Sequence, residues 1–306
     1  MSKSGIKNVL IAGASGTLGP PVLTEFLASG KFNVFALVRL ESKFTFNDKV
    51  KILKSDYTAS SLAALFKAHP IDAVINMISW KSSETEKAQM TLIDTSKAAG
   101  VKSFIPADFG NDLSIPEVLD LCPIFAGKAR AIEYLEKVQD GGFSWSTIIN
   151  GPFFAMCIHS GLLGVNIKAK RCSMFGDGST RFSTTNLETT GKALVSLLGD
   201  PTKLAATASR RVYIASHTIT QKELFVALEK VSGEKWVAEW KNLEAAERDA
   251  RERYSKGDRK AGFDMLEIST IKGGHGDYSS KLDNEFLGLP EDDLEADIKQ
   301  VLAEET

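Results

Sequence analysis

The stretch NVLIAGASGTLGPPVLTEFL, Asn8–Leu27, joins an apolar run to a glycine-rich loop and then to a helical pattern. Its loop has glycines at Gly13, Gly16 and Gly19, between a predicted strand and a predicted helix. In this context one glycine allows a tight turn, a second admits a pyrophosphate, and a third lets helix and strand pack closely. The stretch predicts a dinucleotide-binding strand–loop–helix unit, with a tight turn that binds nothing as the alternative.

Short apolar runs alternate with helical patterns from Asn8 to Asn150, which is typical of parallel strands joined by crossover helices. The predicted strands are Val9–Ala12, Val34–Val38, Val50–Leu53, Ala73–Ile78, Ser103–Pro106 and Ser144–Ile149. The predicted helices are Val22–Ala28, Ser61–Ala68, Glu84–Ala99 and Gly127–Gln139. The pattern predicts an α/β fold with a doubly wound parallel sheet in residues 1–150 and a smaller α/β part, mainly substrate-binding, in residues 151–306. A later strand near Arg211–Ala215 is a candidate to return to the sheet or its edge.

The composition is that of an ordinary globular protein, with 306 residues, 43% of them hydrophobic and 25% charged. A net charge of -2 produces no field that would gather polyanions, so we expect no nucleic-acid partner. The N-terminus lacks the apolar region of a signal peptide, and no later run approaches a membrane span. We therefore expect a cytoplasmic protein without a membrane partner.

Cysteines and histidines are too few and too dispersed for a disulfide framework or a metal site. Cys122, Cys157 and Cys172 are predicted to be buried thiols. The four histidines lack the paired spacing that places two ligands on one helical face. The sequence therefore predicts no metal cofactor.

The end of the second predicted strand bears on the choice of dinucleotide. Arg39 stands about 20 residues beyond the loop, where NAD-binding folds usually carry Asp or Glu, and Lys43 follows it. A guanidinium can bind a 2′-phosphate in bidentate fashion and stack on adenine. Asp56, after the third strand, would lie near the adenine, with an ordinary turn aspartate as the alternative. The sequence favours NADPH, with a solvated arginine at a strand end as the alternative.

The most specific pattern in the chain is VKSFIPADFGND, Val101–Asp112, which follows the helix containing Gln89. Further segments are GKARAIEYLEK with Lys128, then FGDGSTRFSTTNLETTGKALVSLLGDP and ITQKELFVALEK. Together they resemble the atypical short-chain dehydrogenases of the isoflavone-reductase-like and NmrA-like group, whose K-R-F-x-P-S-E-F-G segment is similar to the first pattern. The resemblance covers most of the chain. It implies an NADPH-binding Rossmann domain, a smaller C-terminal substrate domain and an active site in the cleft between them.

The same resemblance implies that Lys128 is the central catalytic residue, because the reductases of this group use one lysine. Ordinary short-chain dehydrogenases carry Tyr-x-x-x-Lys, which would place tyrosine at Ile124, so the usual tyrosine proton relay is in doubt here. A partly buried ammonium near the nicotinamide has a lowered pKa and can donate a proton near neutrality. Without the resemblance, a surface lysine in a charged helix is the better interpretation.

Ligands of open α/β sheets bind beyond the carboxyl ends of the strands, which selects the candidate site residues. The predicted cofactor-binding residues are Gly13, Ser15, Gly16, Thr17, Leu18, Gly19, Arg39, Lys43, Asp56, Met77, Ser79, Lys128, Asn150, Pro152 and Phe153. The predicted substrate-binding residues are Trp80, Asp108, Phe109, Phe154, Met156 and His159. For each residue of the second group taken singly, core packing is the better explanation. His159 is the candidate for a second proton-transfer group, with a structural histidine as the alternative.

Three functions agree with these patterns. The first, which the sequence favours, is an NADPH-dependent reductase of a small hydrophobic carbonyl, enone or benzylic ether, with Lys128 as acid or base. The second is an NmrA-like redox sensor that binds the dinucleotide and controls a protein partner without turnover. The third is an NADP(H)-dependent isomerase or cyclase of a specialised metabolite, with no net redox change. A monomer or a weak homodimer suits a chain of this length.

Overall fold

A computed structural model describes residues 5–80 and 82–304 of the chain. Its strands are β1 (Asn8–Ala12), β2 (Asn33–Arg39), β3 (Lys51–Ser55), β4 (Ala73–Asn76), β5 (Ser103–Ile105), β6 (Ser144–Ile149), β7 (Val165–Asn166), β8 (Arg171–Phe175), β9 (Arg181–Thr184), β10 (Arg210–Tyr213), β11 (His217–Thr220) and β12 (Val237–Lys241). Its helices are α1 (Gly19–Ser29), α2 (Ala59–Ala68), α3 (Ser83–Ala98), α4 (Pro116–Asp120), α5 (Ala126–Val138), α6 (Phe154–His159), α7 (Leu187–Gly199), α8 (Pro201–Ala206), α9 (Gln221–Ser232), α10 (Leu243–Ser255), α11 (Ala261–Ile271), α12 (Asn284–Leu287) and α13 (Leu294–Ala303).

Seven strands form one parallel sheet in the order β10-β6-β5-β4-β1-β2-β3. Strand β1 lies at the point where the order reverses, with Val9 beside Val34 of β2 on one side and Ala73 of β4 on the other. Such a reversal opens a crevice at the carboxyl ends of the two central strands. The predicted α/β class with a doubly wound parallel sheet is confirmed.

Helices cover both faces of this sheet. Phe26 of α1 and Leu194 of α7 belong to the core on one face. Leu62 of α2, Leu92 of α3 and Leu135 of α5 belong to the core on the other. Because helices cover both faces, the central strands are apolar almost throughout and could be predicted from continuous apolar runs, whereas the edge strand β3 has exposed residues.

The observed strand boundaries differ from the predicted ones by a few residues. The last strand of the first part, Ser144–Ile149, matches the prediction. Strand β4 ends at Asn76, two residues early, because the Asn76 Oδ1 atom accepts a hydrogen bond from the Ile78 N–H at 3.1 Å and turns the chain. This turn brings the following residues towards the glycine loop.

The second part of the chain returns to the first at two places. Strand β10 is the predicted later strand, and it pairs with β6 at the edge of the sheet. Helix α7 packs on α1. Residues beyond 150 therefore contribute to the sheet and to its cover, and a division of the chain at residue 150 remains a prediction.

A separate core holds the rest of the second part together. Phe154 of α6, Met174 of β8, Leu224 of α9, Ile268 of α11 and Ile298 of α13 are all buried in it. Within the described residues, no helix has both the length and the apolar character that crossing a membrane requires. The three cysteines are free and buried, as predicted.

Candidate functional site

A cleft of about 1500 Å³ opens along the carboxyl ends of the parallel strands. The loop after β1, the ends of β2 and β4, and helices α5, α6 and α11 all contribute to its walls. Pockets for single small molecules usually measure about 300–1,000 Å³, so this cleft has room for a dinucleotide and a second molecule.

The glycine loop folds closely on itself and on β4. Gly13 has a φ of +80°, and a Cβ atom there would lie 2.7 Å from the Met77 carbonyl carbon. The Gly16 N–H donates a hydrogen bond to the Gly13 carbonyl at 3.0 Å. A Cβ atom on Gly19 would lie 1.9 Å from the Ala14 carbonyl oxygen. Gly13 and Gly16 line the cleft, whereas Gly19 lies outside its lining and lets the helix start close to the loop.

The N-terminus of α1 adjoins this loop, and no acidic side chain of its own first turn neutralises its partial positive charge. No side chain caps it and no acidic residue lies in its first turn, where Pro20 and Pro21 stand. Ser15, Thr17 and Leu18, just before the helix, line the cleft. Pro20 and Pro21 carry no N–H group, and the Gly19 N–H donates to the Gly16 carbonyl at 3.0 Å, so N–H donors have to come from the loop before the helix. The helix adds the partial positive charge of its amino end, and together they fit a pyrophosphate.

Arg39 is the last residue of β2, and it lines the cleft. Its side chain is 77% exposed, and its Nε atom lies 3.3 Å from the Glu41 Oε1 atom, on a side chain that is 70% exposed. The sequence reasoning did not single out Glu41, although it stands two residues beyond the arginine. An exposed pair of this kind contributes little to stability, so the guanidinium is available to a phosphate. Lys43 is exposed and lies outside the lining.

Asp56 lines the cleft but already has hydrogen-bond donors of its own. Its carboxylate accepts bonds from the Thr58 N–H at 2.9 Å and the Thr58 hydroxyl at 2.8 Å, which hold its pKa below the usual range. The neighbouring Tyr57 donates its hydroxyl to the Leu37 carbonyl at 3.3 Å. Asp56 thus stabilises the turn before α2 and is also part of the cleft lining. The predicted residues Met77, Ser79, Pro152 and Phe153 also line the cleft.

Lys128, on the first turn of α5, is buried in the cleft wall rather than lying on the surface. Its side chain is 9% exposed, and its Nζ atom donates a hydrogen bond to the Phe109 carbonyl at 2.9 Å. The same atom lies 4.3 Å from the centre of the Phe125 ring. Burial lowers the pKa of Lys128, opposed by the attraction of Asp108 and Cys122. The ammonium is therefore fixed in place and easier to deprotonate than a surface lysine.

Asp108 corrects one sequence prediction. It lies outside the cleft lining with its carboxyl turned into the protein, so it is a neighbour of Lys128 and not a substrate contact. Its Oδ1 atom has no hydrogen-bond partner among the residues that the structure describes. Burial raises the pKa of Asp108 to about 7, although the charges of Lys128 and Arg211 oppose the shift. Phe109, the next residue, does line the cleft as predicted.

Ile124 stands where ordinary short-chain dehydrogenases carry tyrosine, and it does not line the cleft. Ile124 lies in the 3₁₀ turn Pro123–Phe125, and a Cβ atom on Gly262 of α11 would approach its Cγ2 atom to 2.8 Å. Phe125, one residue later, lines the cleft beside Lys128. The turn thus places an aromatic ring, and no hydroxyl group, next to the lysine.

Trp80 packs against the start of α5, the helix that carries Lys128. Its Nε1 atom donates a hydrogen bond to the Ala107 carbonyl at 2.8 Å. A Cβ atom on Gly127 would lie 2.7 Å from the indole ring, so the glycine allows the ring to pack against α5. Trp80 lines the cleft, as predicted.

Three other predicted residues do not reach the cleft. Phe154 is 1% exposed and packs edge-on against His217, with ring centres 5.1 Å apart. The His159 Nε2 atom lies 3.1 Å from the Glu304 Oε2 atom beyond α13, and the residue is outside the cleft lining. Asn150 is fully buried.

The turn of α6 explains which of its residues do reach the cleft. Met156 lines it, and so does Ser160, four residues later on the same helical face. Phe154, two residues before Met156, lies on the opposite side of this short helix, and His159 at its end contacts Glu304. The sequence identified the segment, but it did not identify the face.

Helix α11 supplies a wall that the sequence reasoning did not anticipate. Lys260, Phe263, Asp264 and Glu267 line the cleft at spacings of three and four residues, which place them on one face of a helix. The sequence shows this helix only as one apolar segment among several in the second part. Nothing in its local pattern indicates which distant strand ends it will face.

Comparison with known proteins agrees with this architecture. The model of the NmrA-like family matches residues 6–286. Oxidoreductase aprR of Aspergillus flavus is 31% identical over 304 residues, which cover 96% of this chain and 98% of that relative.

Two solved structures share the fold at low sequence identity. The crystal structure of isoflavone reductase gives a TM-score of 0.76 at 19% identity, over 96% of this chain and 99% of that one. The structure of AtPrR2 with NADP+ and (+)pinoresinol gives a TM-score of 0.77 at 18% identity, over 97% and 99%. The resemblance that the sequence motifs indicated is confirmed, and the chain belongs to the NmrA-like family.

Proposed function

We propose that the protein is an NADPH-dependent reductase of a small hydrophobic carbonyl, enone or benzylic ether compound, with Lys128 as the proton donor. The observation that carries this proposal is the buried ammonium of Lys128 in the wall of a cleft that also contains the glycine loop and Arg39. The name of the relative aprR, an oxidoreductase, supports it. So does the structure of AtPrR2, which contains NADP+ and an aromatic molecule.

The groups at the loop side of the cleft fit NADPH. The backbone from Gly13 to Leu18 and the uncapped start of α1 would hold the pyrophosphate. Arg39 would bind the 2′-phosphate and Asp56 would lie beside the adenosine. When bound, NADPH supplies the hydride.

Lys128 would supply the proton that a carbonyl reduction needs. When the carbonyl carbon gains a hydride, the C=O π bond breaks and negative charge develops on the oxygen. The Lys128 Nζ–H group can donate a proton to that oxygen, and the free amine regains a proton from solvent. The carbonyls of Phe109 and Asp108 fix the Nζ atom, at 2.9 and 3.5 Å. General acid catalysis of this kind contributes about 10²–10⁴-fold to a rate.

The other walls favour an apolar and flat substrate. Phe263 and Met156 line the cleft with side chains that are 53% and 40% exposed, unusually high for such apolar groups. The rings of Trp80 and Phe125 lie in the same lining. Aromatic rings in a cleft stack on flat ligands, so aromatic ketones and aryl enones are the first compounds to test.

The test is NADPH oxidation by the purified protein with a panel of aromatic ketones and aryl enones. We expect turnover by the wild-type protein and a loss of kcat of at least about 100-fold in Lys128→Met, with NADPH binding retained. Lys137→Met, at an exposed position of the same helix, is the matched control and should behave as wild type.

The other outcomes separate the competing functions. Turnover in Lys128→Met within threefold of wild type would remove the catalytic role of this residue. Tight NADPH binding without conversion of any compound would favour the NmrA-like sensor. Conversion without net NADPH consumption would favour a redox-neutral isomerase or cyclase.

A further inference from the structure

The face of α11 that lines the cleft carries an acidic side chain that the proposed proton transfer does not use. This face contains Phe263, Asp264 and Glu267. Asp264 is paired, since its Oδ2 atom lies 2.6 Å from the Arg253 Nη2 atom of α10. The Glu267 Oε1 atom has no hydrogen-bond partner in the part of the chain that the structure describes, which makes Glu267 the group to explain.

The position of α11 beside Lys128 is fixed by packing and by buried hydrogen bonds. The Asn111 Nδ2 atom, just after β5, donates to the Ser269 and Thr270 hydroxyls, each at 3.0 Å. Leu266 of α11 and Phe125, which contacts Lys128, pack against the same small core. The cleft-lining face of α11 is thus a rigid wall of the region that contains Lys128.

The Glu267 carboxyl is partly buried, and one of its two oxygens has no partner among the described residues. Its Oε1 atom is inaccessible to water and has no hydrogen bond within residues 5–80 and 82–304. The loop after α6 approaches this atom so closely that a Cβ atom on Gly164 would lie 3.4 Å from it. An unpaired buried polar group destabilises a fold. The Oε1 atom thus lies against the loop after α6, while Glu267 as a residue belongs to the cleft lining.

Burial raises the pKa of Glu267 to about 8, with Lys241 of β12 opposing the shift and Asp264 on the same helix adding to it. Cys157 of α6 and Cys172 of β8 are buried thiols, and an ionised Glu267 would raise the pKa of each. The carboxyl is consequently neutral near pH 7 and carries one O–H donor.

We infer that Glu267 contacts the substrate and donates a hydrogen bond to an acceptor oxygen carried by an aromatic molecule in the cleft. The inference rests on the proposed reductase function and narrows its substrate class. Phe263, one turn away, provides an exposed apolar surface for the ring. Aromatic compounds with an ether, ketone or hydroxyl oxygen remote from the reacting centre are selected over those without one.

The test uses chalcone and 4-methoxychalcone, which differ by one acceptor oxygen and no donor. Dissociation constants are measured by calorimetry with the protein saturated with NADP+, which cannot donate a hydride, and again without it. We expect wild type at about pH 6.5 to bind the methoxy compound about three- to tenfold more tightly. At about pH 9 this preference should fall towards one, because the carboxylate no longer donates.

Two variants separate a substrate contact from a structural role. Glu267→Gln retains an N–H donor and does not titrate, so it should keep the preference at both pH values. Glu267→Leu should lose it at both, and its melting temperature shows whether it folds. An unchanged preference in Glu267→Leu, no preference in wild type, or the same pH dependence in Glu267→Gln would overturn the inference. Failure of the reductase function appears separately, as absence of NADPH oxidation with every compound.

Discussion

The two ends of the cleft are built in different ways. The loop end consists of the glycine loop, the start of α1 and Arg39, so consecutive backbone groups form most of it. The lysine end consists of side chains from α5, α6, α11 and the turn at Phe125, which lie far apart in sequence. A local sequence motif can therefore specify the first end, whereas only the tertiary fold assembles the second.

The two ends also differ in electrostatics. The charges of Arg39 and Glu41 are exposed, screened by water and close to a surface where a ligand charge can replace one of them. Lys128, Asp108 and Glu267 are partly or fully buried, and burial moves the pKa of each towards neutrality. The loop end is suited to binding fixed charge, and the lysine end is suited to holding and moving protons.

Gly13→Ala should break the loop end most severely. The added Cβ atom would meet the Met77 backbone at 2.7 Å in a residue with a φ of +80°. We expect destabilisation of more than about 2 kcal/mol and at least a 100-fold loss of NADPH affinity, measured by denaturant unfolding and fluorescence titration. Gly30→Ala is the control, because Gly30 has a φ of +61° with no atom within 4 Å of its added Cβ. Equal behaviour of the two variants would show that the loop backbone is not constrained.

Arg39→Ala should weaken the loop end without disturbing its backbone. Loss of charge-assisted hydrogen bonds to a 2′-phosphate costs about 1.5–3 kcal/mol, or about 10- to 100-fold in NADPH affinity. NADH lacks this phosphate, so its affinity should change by less than about threefold. Competitive titration of both cofactors against the variant measures the difference. A similar loss for both would remove the basis for assigning the phosphate to Arg39.

Asp108→Asn should change how the free energy of unfolding depends on pH, because it removes the buried carboxyl at the lysine end. Since the folded state raises the pKa of Asp108 to about 7, the stability that this group contributes is fully present at low pH and is lost as pH rises through 7. Asparagine cannot ionise, so the unfolding free energy of the variant should fall less than that of wild type between about pH 5 and pH 8.5. The difference between the two falls should be roughly 1–3 kcal/mol. Asp56→Asn is the control, because its carboxylate is exposed and its pKa is lowered. Parallel curves for wild type and Asp108→Asn would contradict the account.

The extent of sequence-based prediction follows the same division. The strand–loop–helix unit and the doubly wound sheet were predictable, because buried parallel strands are apolar and Gly13 tolerates a backbone that other residues do not. The return of β10 to the sheet edge was anticipated, with its bounds off by one or two residues.

The lysine end was predictable only in part. Lys128 was predicted from the family resemblance alone, and its burial depends on the packing of Phe125 and the carbonyl of Phe109. His159 was misplaced because tertiary packing at the end of a short helix decides whether this side chain meets the cleft or Glu304. Glu267 carries no local signal, since an acidic residue in an exposed helix and one in a cleft wall have the same sequence pattern.

The most direct test of the central claim is the fate of hydride from NADPH that carries deuterium at C4. Mass spectrometry follows the label in single-turnover reactions with the panel of aromatic ketones and aryl enones, using wild type and Lys128→Met. We predict deuterium in the reduced product of at least one compound with wild type, and a transfer rate at least about 100-fold lower in the variant. Tight NADPH binding with no label in any product would contradict the account.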